Sequence, residues 1–145
     1  MRPGRSAWVR CCVAAYVVGF LEGTGAHAYF LATGGLSTYN YAPLPVQLLF
    51  HALLPLDLLV ALRIARGRPG APLLAAAVML ADLAANWGIQ WNAVLAHPVA
   101  YLRPVGLLPI TLFGLFVVAT ALPLHRRLQP VAGRGGRAGY AAAND

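Results

Sequence analysis

Four long apolar windows, at about residues 11–32, 45–64, 71–95 and 105–124, constrain this chain more than any other feature. Each meets the requirement of roughly 17 to 25 mainly apolar residues for crossing a hydrocarbon core of about 30 Å. Between them stand the residues that end helices: Gly34-Gly35 and Pro43-Leu44-Pro45, then Gly67-Arg68-Pro69-Gly70, then His97-Pro98 and Arg103-Pro104. No segment alternates with a period of two, which argues against a barrel. A water-soluble fold of 145 residues has no means of hiding a chain that is 59% hydrophobic and 10% charged, with a mean hydropathy of +0.65; soluble proteins carry roughly 25% charged residues. The expectation is an all-α integral membrane four-helix bundle, a single domain over residues 1–127. The Gly, Ala and Arg-rich stretch 128–145 lacks a core-forming pattern and reads as a disordered tail.

The arginines predict the orientation. All eleven cationic residues are arginine, and Arg103 alone falls in a connection on the other side, between the third and fourth windows. The other ten precede the first window (Arg2, Arg5, Arg10), fill the second connection (Arg63, Arg66, Arg68) or follow the fourth (Arg126, Arg127, Arg134, Arg137). This positive-inside pattern puts both termini and the middle connection in the cytoplasm, as in a multi-pass protein of the inner (plasma) membrane. Arginine without lysine, amid abundant Ala, Gly and Pro, suggests a high-GC bacterial genome. The formal charge of +7 is therefore a topology signal, with membrane lipids as the partners of the arginines. No nucleic-acid reading element accompanies it. Residues 1–21 also resemble a secretory leader, with Ala26-His27-Ala28 as a small-x-small cleavage site. Apolar character resumes through Tyr29, Phe30, Leu31 and Ala32, so the first helix is expected to be retained. Cys11 and Cys12, adjacent and without a second ligand at metal-binding spacing, read as structural filler.

Three of the four acids, Glu22, Asp57 and Asp82, lie inside the apolar windows. A charged carboxylate at mid-depth costs about 2.5 to 3.5 kcal/mol on insertion scales, against about 0.3 to 0.6 returned by each Leu, Ile, Phe or Val. Helices one and three should therefore need neighbours, whereas helix four, with no charge, is expected to be the most lipid-facing. Asp82, Asn86 and Gln90 form one helical stripe rising toward the outer surface, and Gln47 and His51 share a face of helix two, four residues before Pro55. These residues and Glu22 are expected to converge on an outward-opening polar pocket, a ligand or proton site. Asp57 and His27, on other faces by spacing, form a possible second site. Gly19 and Gly23 make a GxxxG pair suited to close helix packing. Trp87, Trp91, Tyr39, Tyr41 and Tyr101 read as an aromatic belt, with Trp87 or Trp91 as an alternative pocket wall.

Three function classes follow. The first binds or moves a small molecule, an ion or a proton. The second is a membrane-embedded acid/base or metal-dependent enzyme on a lipophilic substrate, with Glu22 or Asp82 acting beside His51, or with Glu22, His27, His51 and Asp82 as metal ligands; without an HxxxH or HxxE pair the metal signal is weak, and no metal or other cofactor is expected. The third is a structural or accessory subunit whose polar stripes meet a second copy or a partner membrane protein. The layout of four spans with cytoplasmic termini and mid-depth acids is similar to that of sterol-isomerase and sigma-2-receptor type bundles, a likeness of layout without a shared motif. A nucleophilic hydrolase is disfavoured because Ser37 and the few threonines lack a GxSxG-like setting, and no glycine-rich phosphate loop of P-loop or Rossmann type is present.

Overall fold

The computed structural model describes residues 6–101, 103 and 106–129. Four long helices carry it, α1 Ala7–Gly34, α2 Leu44–Ala65, α3 Ala71–Ala96 and α5 Leu107–Leu128, with the one-turn helix α4 Pro98–Tyr101 between the last two. Each long helix, α1 counted with the 3-10 turn Gly35–Ser37, is long and apolar enough to cross a membrane. No strand occurs among the described residues.

The ends follow from local chemistry. α1 begins ahead of its apolar window because the Ser6 hydroxyl accepts the Val9 N–H at 3.4 Å, capping the first turn. Pro45 sits in the first turn of α2, where a missing N–H is of no consequence. At the other end of α2 the Gly67 N–H bonds the Ile64 carbonyl (2.8 Å) and the Arg68 N–H bonds that of Arg63 (3.0 Å). These are the paired bonds of a Schellman cap, and Gly67 supplies the required left-handed residue at φ 66°. α5 runs to Leu128, so the first residue assigned to the disordered tail is instead helical and buried. Leu128 lies four residues past Leu124 and seven past Ala121, on the stripe that faces the core. The rest of the tail, residues 130–145, lies outside the described residues, as do Arg2 and Arg5.

The helices pack as two hairpins. α1 lies mainly on α2, α3 mainly on α5, α2 joins the pairs through α3, and α1 meets α5 over a short stretch. Each contributes one stripe to the core: Val9, Val13, Tyr16 and Phe20; Phe50, Leu53, Val60 and Ile64; Ala75, Val78, Met79 and Ala85; Val117, Ala121 and Leu124. Where α1 crosses α5, Gly19 lets the Phe113 ring onto the α1 backbone. Tyr16, fully buried, donates to the Val117 carbonyl at 2.7 Å and lies 3.0 Å from the Thr120 hydroxyl. Within the second hairpin the Trp87 indole donates to Thr111 at 3.0 Å, and Thr111 donates onward to the Leu107 carbonyl. Helix α5 shares the smallest buried fraction with α1, 28% of its apolar window against 33% for α2 and α3, so it is joint rather than sole least buried. Gly114 admits Leu83 and Met79 of α3 against the α5 backbone. Large apolar side chains such as Leu21, Leu48, Leu80 and Leu115 cover the outside of all four helices.

Candidate functional site

A cavity of about 650 Å³ lies between the four long helices, in the half of the bundle away from the Arg63–Arg68 turn. Its polar side chains are Glu22 and His27 from α1, Tyr39 and Tyr41 from the following turn, Asp57 from α2, and Asp82, Asn86 and Gln90 from α3. Phe20, Phe30, Phe50, Met79, Ile110 and Phe113 supply apolar wall.

Asp57 reaches this cavity on the core stripe of α2, seven residues past Phe50 and four past Leu53, and is only 6% exposed. Room for its carboxyl comes from Gly23 across the helix interface: a Cβ built there would stand 2.5 Å from Asp57 Oδ2. The Gly19/Gly23 pair thus has two different jobs, one seating the Phe113 ring and the other a carboxyl group. Asp82, 7% exposed, occupies the matching place on the core stripe of α3, four past Val78. Both carboxyl groups line the same cavity.

Their partners differ. Asp82 Oδ1 accepts the Asn86 amide at 2.8 Å, and the same amide nitrogen reaches the Asp82 carbonyl at 3.1 Å. Gln90 extends the ladder a turn further, its amide 3.3 Å from the Asn86 carbonyl and 3.4 Å from Asn86 Oδ1. The stripe read from the sequence is therefore a hydrogen-bonded rail along one wall. Asp57 has no such donor among the described residues and presents its oxygens to the cavity. Glu22 lines the same cavity but is itself exposed, so it stands at the rim on the α1 side. Tyrosine and histidine side chains line the end beside the α1–α2 connection. His27 Nδ1 lies 2.9 Å from the Tyr39 hydroxyl, and Tyr39 is 4% exposed, packed edge-on against Phe50 and His51. Burial pushes the Tyr39 phenol above the usual tyrosine range, and negative charge at Tyr41 and Asp82 pushes the same way. It therefore stays protonated and can donate to His27.

Of the expected pocket residues, Glu22, Asp82, Asn86 and Gln90 share this cavity, and the two assigned to a second site, Asp57 and His27, join them. His51 and Gln47 are not in its walls. The Gln47 amide donates to the Ala42 carbonyl at 2.7 Å, holding the start of α2, and its own carbonyl accepts His51 Nδ1 at 2.7 Å. A carbonyl only accepts, so Nδ1 carries the proton, and Nε2 is a buried acceptor with no partner among the described residues. His51 thus backs Tyr39 from behind the wall. Tyr39 is buried at the site instead of lying in a belt, and Trp87 bonds α5 without lining the cavity. No group of three or more His, Cys, Asp or Glu suited to holding a metal ion occurs among the described residues. Comparison with protein-family models, with curated proteins and with solved structures finds no match to this chain.

Proposed function

We propose that the chain is a multi-pass protein of the bacterial inner membrane, with its arginine-rich end cytoplasmic and its cavity opening toward the outer face. There it binds or moves a small molecule, ion or proton. The orientation rests on the arginine distribution. The functional reading rests on one observation: two buried carboxyl groups, one from each hairpin, face a single cavity that has no arginine among the described residues of its walls. Acids that serve only as interhelical glue are expected to satisfy each other or a neighbour. Asp57 instead has no hydrogen-bond donor among the described residues and lines the cavity.

The chemistry of the walls narrows the occupant. Carboxyl oxygens at one end call for positive charge or hydrogen-bond donors, while Phe20, Phe50, Phe113 and Met79 offer apolar surface to the rest of the molecule. A small amphipathic molecule with a cationic or donor-rich head fits both demands. Aromatic faces near the head add cation–π attraction of about 0.5 to 2 kcal/mol.

The test compares decylamine, decanol and decanoate, three chains of one length, for stabilisation of the detergent-solubilised protein against heat. Decylamine should stabilise most and decanoate least, and Asp57→Asn with Asp82→Asn should erase the ranking while leaving the protein folded. Equal response to all three, or a ranking untouched by the substitutions, would reject the reading. A second reading, acid–base chemistry on a lipophilic substrate, draws on the unequal partners of the two acids, one held by Asn86 and one without a hydrogen-bond donor among the described residues. Turnover of a bound lipid extract, lost in both single Asn variants, is its distinguishing result.

A further inference from the structure

The opposite end of the bundle holds a second concavity, about 400 Å³, lined by Leu59, Arg63, Arg66, Arg68, Gly70 and Ala71. We infer that this cup is a binding site for a phosphoryl group, in particular a phosphomonoester, independent of the carboxyl-lined cavity.

Three guanidinium-bearing residues converge here because of the Schellman cap. The cap reverses the chain within Arg66, Gly67 and Arg68, so residues three and five positions beyond Arg63 in sequence return beside it through the Arg68 to Arg63 backbone bond. The turn is also fixed from outside. The His125 ring on α5 donates from Nδ1 to the Pro69 carbonyl at 2.6 Å, and His125 Nε2 in turn accepts the Gln129 amide at 3.0 Å. Next to the arginines, α3 starts at Ala71 with Gly70 as its cap, adding the partial positive charge of a helix start. None of the described acids, Glu22, Asp57 and Asp82, lines the cup, so no described residue in its walls neutralises the three cations.

A generic topology signal does not require this convergence. Arg126 and Arg127 lie at the same end of the bundle, exposed, and do not line the cup. Three arginines around one concavity suit a compact anion with several equivalent oxygens, which planar guanidinium groups hold through paired hydrogen bonds. A doubly charged phosphomonoester answers that arrangement better than a singly charged phosphodiester. Two sources present the same chemistry: a lipid with a monoester headgroup, or a free phosphorylated molecule. Leu59 and Leu62, about two-fifths exposed beside the cup, offer an apolar path down which an acyl chain can run.

The experiment uses the full chain in detergent micelles, with binding of dioleoyl phosphatidic acid, phosphatidylglycerol and phosphatidylcholine followed by native mass spectrometry. Phosphatidic acid should bind roughly tenfold more tightly than phosphatidylglycerol, the equivalent of one charge-assisted hydrogen bond. Replacing Arg63, Arg66 and Arg68 together by Gln should remove that preference. Replacing Arg10, Arg126 and Arg127 by Gln, which removes the same charge from the same end, should leave it intact. Inorganic phosphate at millimolar concentration separates the sources: competition points to a free phosphorylated ligand, and its absence to the lipid. Should the triple variant fail to fold, Arg66→Gln and Arg66→Lys alone serve, each lowering the preference several-fold. Equal binding of phosphatidic acid and phosphatidylglycerol, or equal loss in the two triple variants, would overturn the proposal.

Discussion

The carboxyl group of Asp57 on α2 rests over the bare backbone of Gly23 on α1, with no space for a side chain between them. The relation is steric on one side and chemical on the other, so the two residues must be read together. Gly23→Ala is expected to push the carboxyl out of its seat. The cost should be about 1 to 3 kcal/mol, as for other overpacked interiors, along with loss of ranking among the decyl probes. Gly25→Ala, where an added Cβ meets nothing within 4 Å, is the matched control and should be neutral or slightly stabilising. Thermal denaturation of the two variants in one detergent makes the comparison.

Asp82 and Asn86 form a donor–acceptor pair in which one partner cannot be removed without stranding the other. Asn86→Leu should destabilise by about 1 to 3 kcal/mol, the penalty for leaving a buried acceptor without its donor. Replacing Asp82 and Asn86 together by Leu should recover much of that loss while abolishing the functional response. A double variant as unstable as the sum of the two singles would mean that the pair is not coupled.

Two aromatic donors tie α5 to its neighbours, Tyr16 through Val117 and Thr120, Trp87 through Thr111. Tyr16→Phe and Trp87→Phe should each cost about 0.5 to 1.5 kcal/mol. The anchor threonines Thr111 and Thr120 stand about 13 Å apart along the helix at 1.5 Å per residue. The losses should therefore add within about 0.5 kcal/mol in the double variant. Reversible unfolding in mixed micelles gives the three values needed.

Orientation is checked by labelling from outside intact cells, after Cys11 and Cys12 are replaced by Ala. A cysteine at Leu36, 82% exposed in the turn after α1, should react with an impermeant maleimide. One placed at Arg127 should react only after permeabilisation. The reverse pattern would turn the protein over and place the carboxyl cavity on the cytoplasmic side.

The helices were legible because the apolar windows and their Gly and Pro boundaries report directly on local structure. So was the Asp82, Asn86, Gln90 rail, since its members are neighbours on one helix. The position of Asp57 was harder to read. Counted from His51 it faces away, whereas counted from Phe50, Leu53, Val60 and Ile64 it falls on the stripe that packs inward. The core stripe decides the rotation of a helix, and polar residues must be placed relative to it. Tyr39 escaped for another reason. A tyrosine in a turn beside an apolar span has the local character of a belt residue, and only the His27 contact, twelve positions away, reveals that it is buried. Gly23 was visible as half of a GxxxG pair, but nothing local says that its partner is a carboxyl group.

The two-hairpin construction couples what occupies the cavity to how firmly the bundle holds together. Asp57 belongs to the first hairpin and Asp82 to the second, so a cation or donor lying between them is a cross-brace as well as a guest. Occupancy and assembly then become one linked equilibrium. At a hundred times its dissociation constant, a bound molecule adds about 2.7 kcal/mol to the stability of the joined state. Without such a guest, two acidic groups from opposite hairpins line one cavity with nothing between them to join the hairpins, and that seam is where the protein should first come apart.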